Sequence, residues 1–245
     1  MSRRVSFASG EYYHLYNRGV EKRTIYLDQT DYRRFSHLLY LTNSTKPIHL
    51  QKICPAVAYG RGRCLARIYR ERRPDTFVDI LAYCMMPNHF HLLVRAKEDC
   101  GVSKFMQKLC TGYTMYFNRR HRRGGTLFQG KFQSTHADTD EYLKYLYAYI
   151  HLNPMELLQP DWKENRIQSP SAAKAFLDDY HHSSYLDYGG VSRTESVILN
   201  KEAGPGYFTS VAELESEMRS WLTLQSRPNL DWGKVGQGPT SMVAR

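Results

Sequence analysis

The chain has 245 residues, 42% of them hydrophobic and 24% charged, which is typical of soluble globular proteins. Lys and Arg number 34 against 24 Asp and Glu, so the formal charge is +10. This charge favours a polyanionic partner, with nucleic acid first and an anionic membrane surface second. There is no apolar run long enough to cross a bilayer and no C-x-x-C pair among the five cysteines, and the start MSRRVS lacks the apolar region of a signal peptide. We therefore expect a cytoplasmic protein with reduced thiols and no membrane association.

The first predicted elements are a strand and a helix. Residues 11–17 (EYYHLYN) are rich in aromatic side chains and predict a strand, which the following Asn-Arg-Gly turn ends. Residues 28–43 carry apolar side chains at helical spacing and predict a helix that Asp28 or Thr30 caps.

An arginine-rich insertion follows at residues 51–76. It contains six arginines between positions 61 and 73, and Glu71 and Asp75 are its only acids. The insertion is either a solvated loop or a patch that contacts phosphates. The net charge of the chain favours the patch.

Two strands and a second helix come next. Residues 76–86 and 89–95 predict a hairpin that turns at Pro87-Asn88. Residues 103–120 predict a helix with one apolar face, which ends in the basic cluster RRHRR at 119–123. Cations are also favoured at a helix C-terminus, so this cluster has a structural interpretation besides DNA binding.

The last elements of the core are a strand and a helix. Residues 126–135 (TLFQGKFQST) predict a strand with Phe128, Gly130 and Phe132 on one side. Residues 138–153 predict a helix that Pro154 stops.

This order of elements predicts an α+β fold. Strand, helix, strand, strand, helix and strand match the ferredoxin-like βαββαβ unit, an antiparallel sheet with helices packed on it, and one helix is added. We assign residues 1–160 to this domain, with 51–76 as an insertion. Residues 161–245 form a C-terminal extension with a helix at 210–224 and a loose tail.

The pattern His89-Phe90-His91 carries the first chemical signal. Residues i and i+2 of a strand face the same side, so two imidazoles project together while Phe90 points the other way. Paired imidazoles at this spacing can hold a divalent cation. The alternative is two surface histidines with ordinary hydrogen bonds.

The helix at 138–153 carries the second signal. Tyr142, Tyr145 and Tyr149 share one helical face, and Asn153 follows Tyr149 by one turn. If this face lies against the two histidines, Asn153 can complete a metal site and Tyr149 is aimed at its ligand. For Tyr142 and Tyr145 we favour simple packing on the sheet.

Such a site suits phosphodiester chemistry. A divalent ion can polarise a phosphate, and an activated tyrosine can attack it in line. The resulting phosphotyrosine stores the bond energy, so rejoining needs no nucleotide cofactor. The sequence accordingly has no Walker-type phosphate-binding loop.

Several blocks of the sequence resemble one known family. MPNHFHLLV at 86–94 is similar to the His-hydrophobic-His motif of the HUH single-strand DNA transposases, and it looks closest to that of the REP-associated tyrosine transposases. Further blocks agree in order over residues 11–190, namely YNRG at 16–19, LFQGKF at 127–132, YIHLNP at 149–154 and SSY at 183–185.

The resemblance implies a metal-dependent enzyme that nicks and transfers single-stranded DNA. It implies a Mg or Mn ion held by His89, His91 and Asn153. It also implies that Tyr149 becomes linked to a 5′ phosphate and leaves a free 3′ hydroxyl. His151 is the rival third ligand, but two residues along a helix it faces about 200° away.

The resemblance also implies hairpin-forming repeat DNA as the partner of a monomer or homodimer. Candidate contacts to the DNA backbone are basic side chains in four parts of the chain. They are Arg18, Lys131, Arg61, Arg63, Arg67, Arg70, Arg119, Arg120, Arg122 and Arg123.

Two other functions remain open. The first is a domesticated protein that docks on repeat hairpins without cutting them. The second is an RNA-binding module, although the chain lacks the aromatic-rich string typical of RNA-binding ferredoxin-like sheets.

Overall fold

An antiparallel sheet forms the middle of the fold in the computed structural model, which describes residues 7–46, 53, 65–165, 167–208 and 210–223. Within these residues the strand order is β2-β3-β1-β4. The strands are β1 (Tyr12–Arg18), β2 (Val78–Met86), β3 (His89–Ala96) and β4 (Gln133–His136).

Helices surround this sheet. They are α1 (Gln29–Leu41), α2 (Leu65–Ile68), α3 (Gly101–Arg120), α4 (Asp140–Leu152), α5 (Met155–Leu158), α6 (Pro170–Asp179), α7 (Tyr185–Tyr188) and α8 (Val211–Thr223). Apart from the short helix α2 within the insertion, β1 to α4 follow the predicted order. The predicted ferredoxin-like α+β fold with one added helix is therefore confirmed.

Side-chain caps fix where two of these helices begin. The Asp28 carboxylate accepts hydrogen bonds from the backbone N–H groups of Thr30 and Asp31 at the start of α1. The Thr139 hydroxyl accepts one from the Tyr142 N–H at the start of α4. Both caps satisfy donors that a helix N-terminus leaves unpaired.

The two faces of the sheet pack against different helices. Strand alternation turns Leu15, Phe90 and Leu92 towards a core shared with α1 and α3. The opposite face carries Leu93 and packs against α4. A register shift between Ile80 and Ala82 places Leu81 and Ala82 together on the α4 side, as a β-bulge does.

The segment after α6 covers the free edge of β2. The Met85 N–H donates to His182 O and the Ser184 N–H to Tyr83 O, each at 2.9 Å. The Tyr83 N–H donates to the Ser184 hydroxyl at 2.9 Å. Main-chain groups at a strand edge that would otherwise be unpaired are thus satisfied.

Arg193 holds this covering segment together. Its guanidinium pairs with the buried carboxylate of Asp187 and donates to the carbonyls of His181 and Ser183. It also donates to the Tyr83 hydroxyl at 2.9 Å, which ties the segment to β2. A planar group with five donors suits this set of acceptors.

The prediction for residues 126–135 was wrong in its extent. The strand begins only at Gln133, and residues 126–132 form turns in which Gly130 has φ 102°. That backbone angle favours glycine and breaks a strand. The Val20 N–H donates to Leu127 O and the Gln129 N–H to Arg18 O, so these turns are anchored to the end of β1.

Some predictions fall outside the described residues, including most of the insertion and the tail after 223. The helix expected at 210–224 is confirmed as α8. Among the helices that the structure describes, none is long and apolar enough to cross a membrane.

Replacing Arg193 by Met is expected to destabilise the fold, because it leaves the Asp187 carboxylate buried without its partner. The free energy of unfolding should fall by about 3–5 kcal/mol, measured by urea denaturation. Arg23→Met, which removes the exposed pair with Glu21, is the matched control and should cost under about 1 kcal/mol. Equal losses in the two variants would contradict the assigned role of Arg193.

Candidate functional site

Two neighbouring strands bring histidines to one face of the sheet. His89 and His91 of β3 face α4, as the i, i+2 spacing predicts, and their ring centroids are 4.9 Å apart. The adjacent β1 turns His14 to the same face, where its ring stacks on His91 at 5.0 Å. The backbone of Arg18 lies directly opposite His89 in the β1–β3 pairing.

Helix α4 crosses this face and delivers a tyrosine and an amide. The Tyr149 ring meets those of His91 and His14 edge-on, with centroids 5.4 Å and 5.8 Å apart. One turn later, Asn153 Oδ1 lies 3.3 Å from His89 Nε2. The structure therefore brings His89, His91, Tyr149 and Asn153 together.

The hydrogen bonds of Asn88 decide which nitrogen of His89 carries the proton. The Asn88 amide nitrogen donates to Lys22 O at 3.2 Å, so its oxygen is the atom that faces His89 Nδ1 at 2.6 Å. An amide oxygen only accepts, so His89 Nδ1 must donate. In the neutral imidazole, Nε2 is then left with a lone pair.

Two hydrogen-bond acceptors consequently face each other at 3.3 Å, namely His89 Nε2 and Asn153 Oδ1. The opposite rotation of the amide would offer an N–H to His89. In the observed rotation the Asn153 amide nitrogen is buried without a hydrogen-bond partner. Converging lone pairs of nitrogen and oxygen are what a cation needs, so these residues fit a divalent metal ion.

The donor set is mixed. Among the described residues no group of three His, Cys, Asp or Glu side chains is placed to hold a metal. The amide of Asn153 offers an oxygen beside the His89 imidazole. A donor set that includes an amide oxygen suits Mg or Mn.

Burial keeps the histidines neutral. Desolvation lowers the pKa of His89 to about 4 and that of His14 to about 3, and it holds the pKa of His91 well below its usual range. Arg18 and Lys163 lower the pKa of His89 further, while Glu156 acts in the opposite direction. Neutral imidazoles are the form that binds metals.

The same burial acts against ionisation of Tyr149, which is 4% exposed. Desolvation raises the pKa of its phenol, the Glu156 carboxylate raises it further, and the Asn153 side chain lowers it. The phenol is therefore protonated in this state of the site.

Lys163 and Glu156 also belong to the site, and the sequence did not reveal them. The two side chains form an ion pair. The Lys163 ammonium lies 5.2 Å from the centre of the Tyr149 ring. The only sequence signal would have been that Glu156 follows Asn153 by three residues, which places the two about one turn apart.

His151 points elsewhere, as its helical position predicts. It is fully buried, and its Nε2 lies 2.8 Å from the Ser184 hydroxyl, beside the segment that covers β2. It connects α4 with that segment and is not in the cluster around His89.

The predicted DNA-contacting residues lie in several places. Arg67, Arg70, Arg119, Arg122 and Lys131 are exposed, and Arg18 is half-buried beside the site. Arg120 pairs with Asp28 and Asp31, and Arg123 donates to Asn118 and to Thr126 O. Arg61 and Arg63 lie outside the described residues. Contact with DNA stays a prediction for all of them.

Residues 61–153 match the family model described as "Transposase IS200 like". The matched part of the chain is similar to IS200-like transposases. The match confirms the resemblance found in the sequence, and it includes both histidines, Tyr149 and Asn153. It stops before Lys163 and begins after β1, so it contains neither His14 nor Arg18.

Other comparisons add less. A solved structure of a REP-associated tyrosine transposase bound to a REP hairpin is 13% identical, with a TM-score of 0.47. The alignment covers 80% of this chain and 90% of that chain. No curated protein matches the chain.

Acid is expected to destabilise the fold, because several buried histidines stay neutral at pH values at which the unfolded chain would protonate them. Desolvation lowers the pKa of His37 to about 4 and that of His151 to about 3, whereas an unfolded histidine has a pKa near 6.5. Between these values the unfolded chain binds more protons, so stability falls as the pH drops below about 6.5.

Each such histidine contributes up to about 1.4 kcal/mol per pH unit. Urea denaturation at pH 7 and pH 5.5 measures the effect, and His37→Leu, on the face away from α4, should reduce the slope. A free energy of unfolding that stays constant over this range would contradict the burial of neutral imidazoles.

Proposed function

We propose that this protein is a transposase that cuts and rejoins single-stranded DNA at hairpin-forming repeats, through a covalent bond between Tyr149 and a 5′ phosphate. The observation that carries the proposal is the convergence of His89 Nε2 and Asn153 Oδ1 beside the Tyr149 ring. The match of residues 61–153 to IS200-like transposases supports the reaction class.

His89, His91 and Asn153 would hold a Mg or Mn ion. A bound divalent ion withdraws charge from a scissile phosphate and orients it. The protein's part is to keep both imidazoles neutral by burial and to fix the tautomer of His89 through Asn88. The proposed reaction needs no nucleoside triphosphate, because the phosphotyrosine bond stores the energy for rejoining.

Tyr149 supplies the nucleophile. Its oxygen attacks phosphorus, the bond to the 3′ oxygen breaks, and the DNA remains attached to the tyrosine by its 5′ phosphate. The phenol loses one proton and the leaving 3′ oxygen gains one, so the exchange is balanced. Attack by the 3′ hydroxyl of another strand reverses the step and releases Tyr149.

Lys163 is a cation beside the proposed nucleophile, with its ammonium 5.2 Å from the centre of the Tyr149 ring. Its ammonium over the Tyr149 ring favours negative charge on the phenol and on an approaching phosphate. Glu156 holds it in place but also raises the pKa of the phenol. A phosphate that draws Lys163 from Glu156 would therefore gain a direct ionic contact.

DNA approaches a protein with a charge of +10. Arg18 borders the site, and Arg119 and Arg122 at the end of α3 are exposed and would add positive charge for DNA. Contacts of this kind bind the backbone of a hairpin or single strand without reading its sequence.

A non-cutting DNA-binding role is the second candidate. The low exposure of Tyr149 favours it, because a phosphate reaches the phenol only after the side chains around it move. Both candidates bind hairpin DNA, and only the first forms a covalent adduct.

Tyr149→Phe is expected to abolish the covalent adduct and leave hairpin binding largely intact. Protein is incubated with Mn²⁺ and an oligonucleotide that carries a palindrome from the flanks of the gene, and adducts are resolved by denaturing electrophoresis. Tyr145→Phe, on the same face of α4, is the matched control and should retain the adduct. An adduct in Tyr149→Phe would assign the nucleophile to another residue.

Lys163→Met is expected to slow adduct formation by at least ~10-fold, because a cation next to the reacting groups is lost. Hairpin affinity, measured by gel shift, should change little. Lys174→Met removes an exposed lysine that pairs with Asp178 and Glu215, and it should react at the normal rate. If Lys163→Met also reacts normally, Lys163 only packs on the ring.

A further inference from the structure

A third histidine lies behind the pair on β3. His14 is fully buried, and its Nε2 lies 2.9 Å from His91 Nδ1. Its ring stacks on that of His91 at 5.0 Å and meets the Tyr149 ring edge-on at 5.8 Å. One side chain thus contacts both a candidate metal ligand and the candidate nucleophile.

Only one proton can lie between the two imidazoles. If His91 Nδ1 donates to His14, then His91 Nε2 keeps a lone pair and is free to bind a cation. If His14 Nε2 donates instead, neutral His91 carries its proton on Nε2 and cannot bind a metal through that atom. The direction of this hydrogen bond therefore decides whether His91 Nε2 has a lone pair that can bind a cation.

We propose that His14 is a positioning residue that accepts the Nδ1 proton of His91 and so keeps His91 Nε2 directed at the metal position. The inference rests on the proposed function, because it concerns the same metal site. It gives His14 the role towards His91 that Asn88 has towards His89, since each fixes the tautomer of one imidazole. Such outer partners orient a ligand and raise its basicity.

This role has an energetic cost in the buried surroundings of His14. In the proposed tautomer the remaining proton of His14 is on Nδ1, which is buried and has no hydrogen-bond partner. An unpaired buried donor is unfavourable and is tolerated where function requires it. This unpaired N–H group lowers the stability of the fold, and a phenylalanine at this position would not carry it.

Direct observation of the tautomers tests the inference in the wild-type protein. Long-range ¹H–¹⁵N NMR spectra of the metal-free protein near pH 7 separate protonated from unprotonated ring nitrogens. We expect protonated Nδ1 and unprotonated Nε2 for both His91 and His89. A proton on Nε2 of His91 would overturn the proposal.

Metal affinity gives an independent test. Titration with Mn²⁺, with free ion followed by electron paramagnetic resonance, should show about 10–100-fold weaker binding in His14→Phe than in wild type. His14→Gln, whose amide oxygen can accept from His91, should recover part of the loss. Circular dichroism checks that each variant folds, and His151→Gln controls for loss of a buried histidine that lies outside the cluster.

The outcomes separate this inference from the proposed function. Wild-type protein that neither binds Mn²⁺ nor forms an adduct contradicts the proposed function itself. Wild-type protein that binds Mn²⁺, together with folded His14→Phe that binds it equally well, contradicts only the role of His14.

Discussion

The candidate site depends on one contact, in which two hydrogen-bond acceptors lie 3.3 Å apart between β3 and the end of α4. The Asn88 oxygen accepts a hydrogen bond from His89 Nδ1, so the ring proton is on Nδ1. Neither His89 Nε2 nor the Asn153 oxygen then carries a hydrogen. Two lone pairs held together at low exposure repel each other unless positive charge lies between them. The strand pairing and the cap of α4 matter for function because they hold this geometry.

Residues that follow α4 in the chain also contribute to the site. Its segment 181–184 covers the edge of β2, and Arg193 locks that segment to Tyr83. Lys163, in the turn after helix α5, lies over the Tyr149 ring and pairs with Glu156 of α5. Glu156 and Lys163 lie beyond the part of the chain that matches the family model, whereas the candidate nucleophile Tyr149 lies within that part.

Local periodicity predicted most of the fold and the central residues of the site. The i, i+2 spacing placed His89 and His91 on one face, and the i, i+4 spacing placed Asn153 beside Tyr149. His14 was missed although it alternates on β1 in the same way, because its neighbour on β3 follows from strand pairing and not from local sequence.

Other features depended on backbone angles or on distant contacts. The strand expected at residues 126–135 shrank to Gln133–His136, because Gly130 adopts a left-handed angle that its aromatic neighbours do not signal. Lys163 reaches the site through a turn after α5, and the composition of the chain does not predict where such a turn leads.

Anomalous scattering from a crystal grown with Mn²⁺ tests the proposed metal site. We expect an anomalous peak within bonding distance of His89 Nε2, His91 Nε2 and Asn153 Oδ1. A peak elsewhere, with His89 Nε2 hydrogen-bonded to an Asn153 N–H, would contradict it.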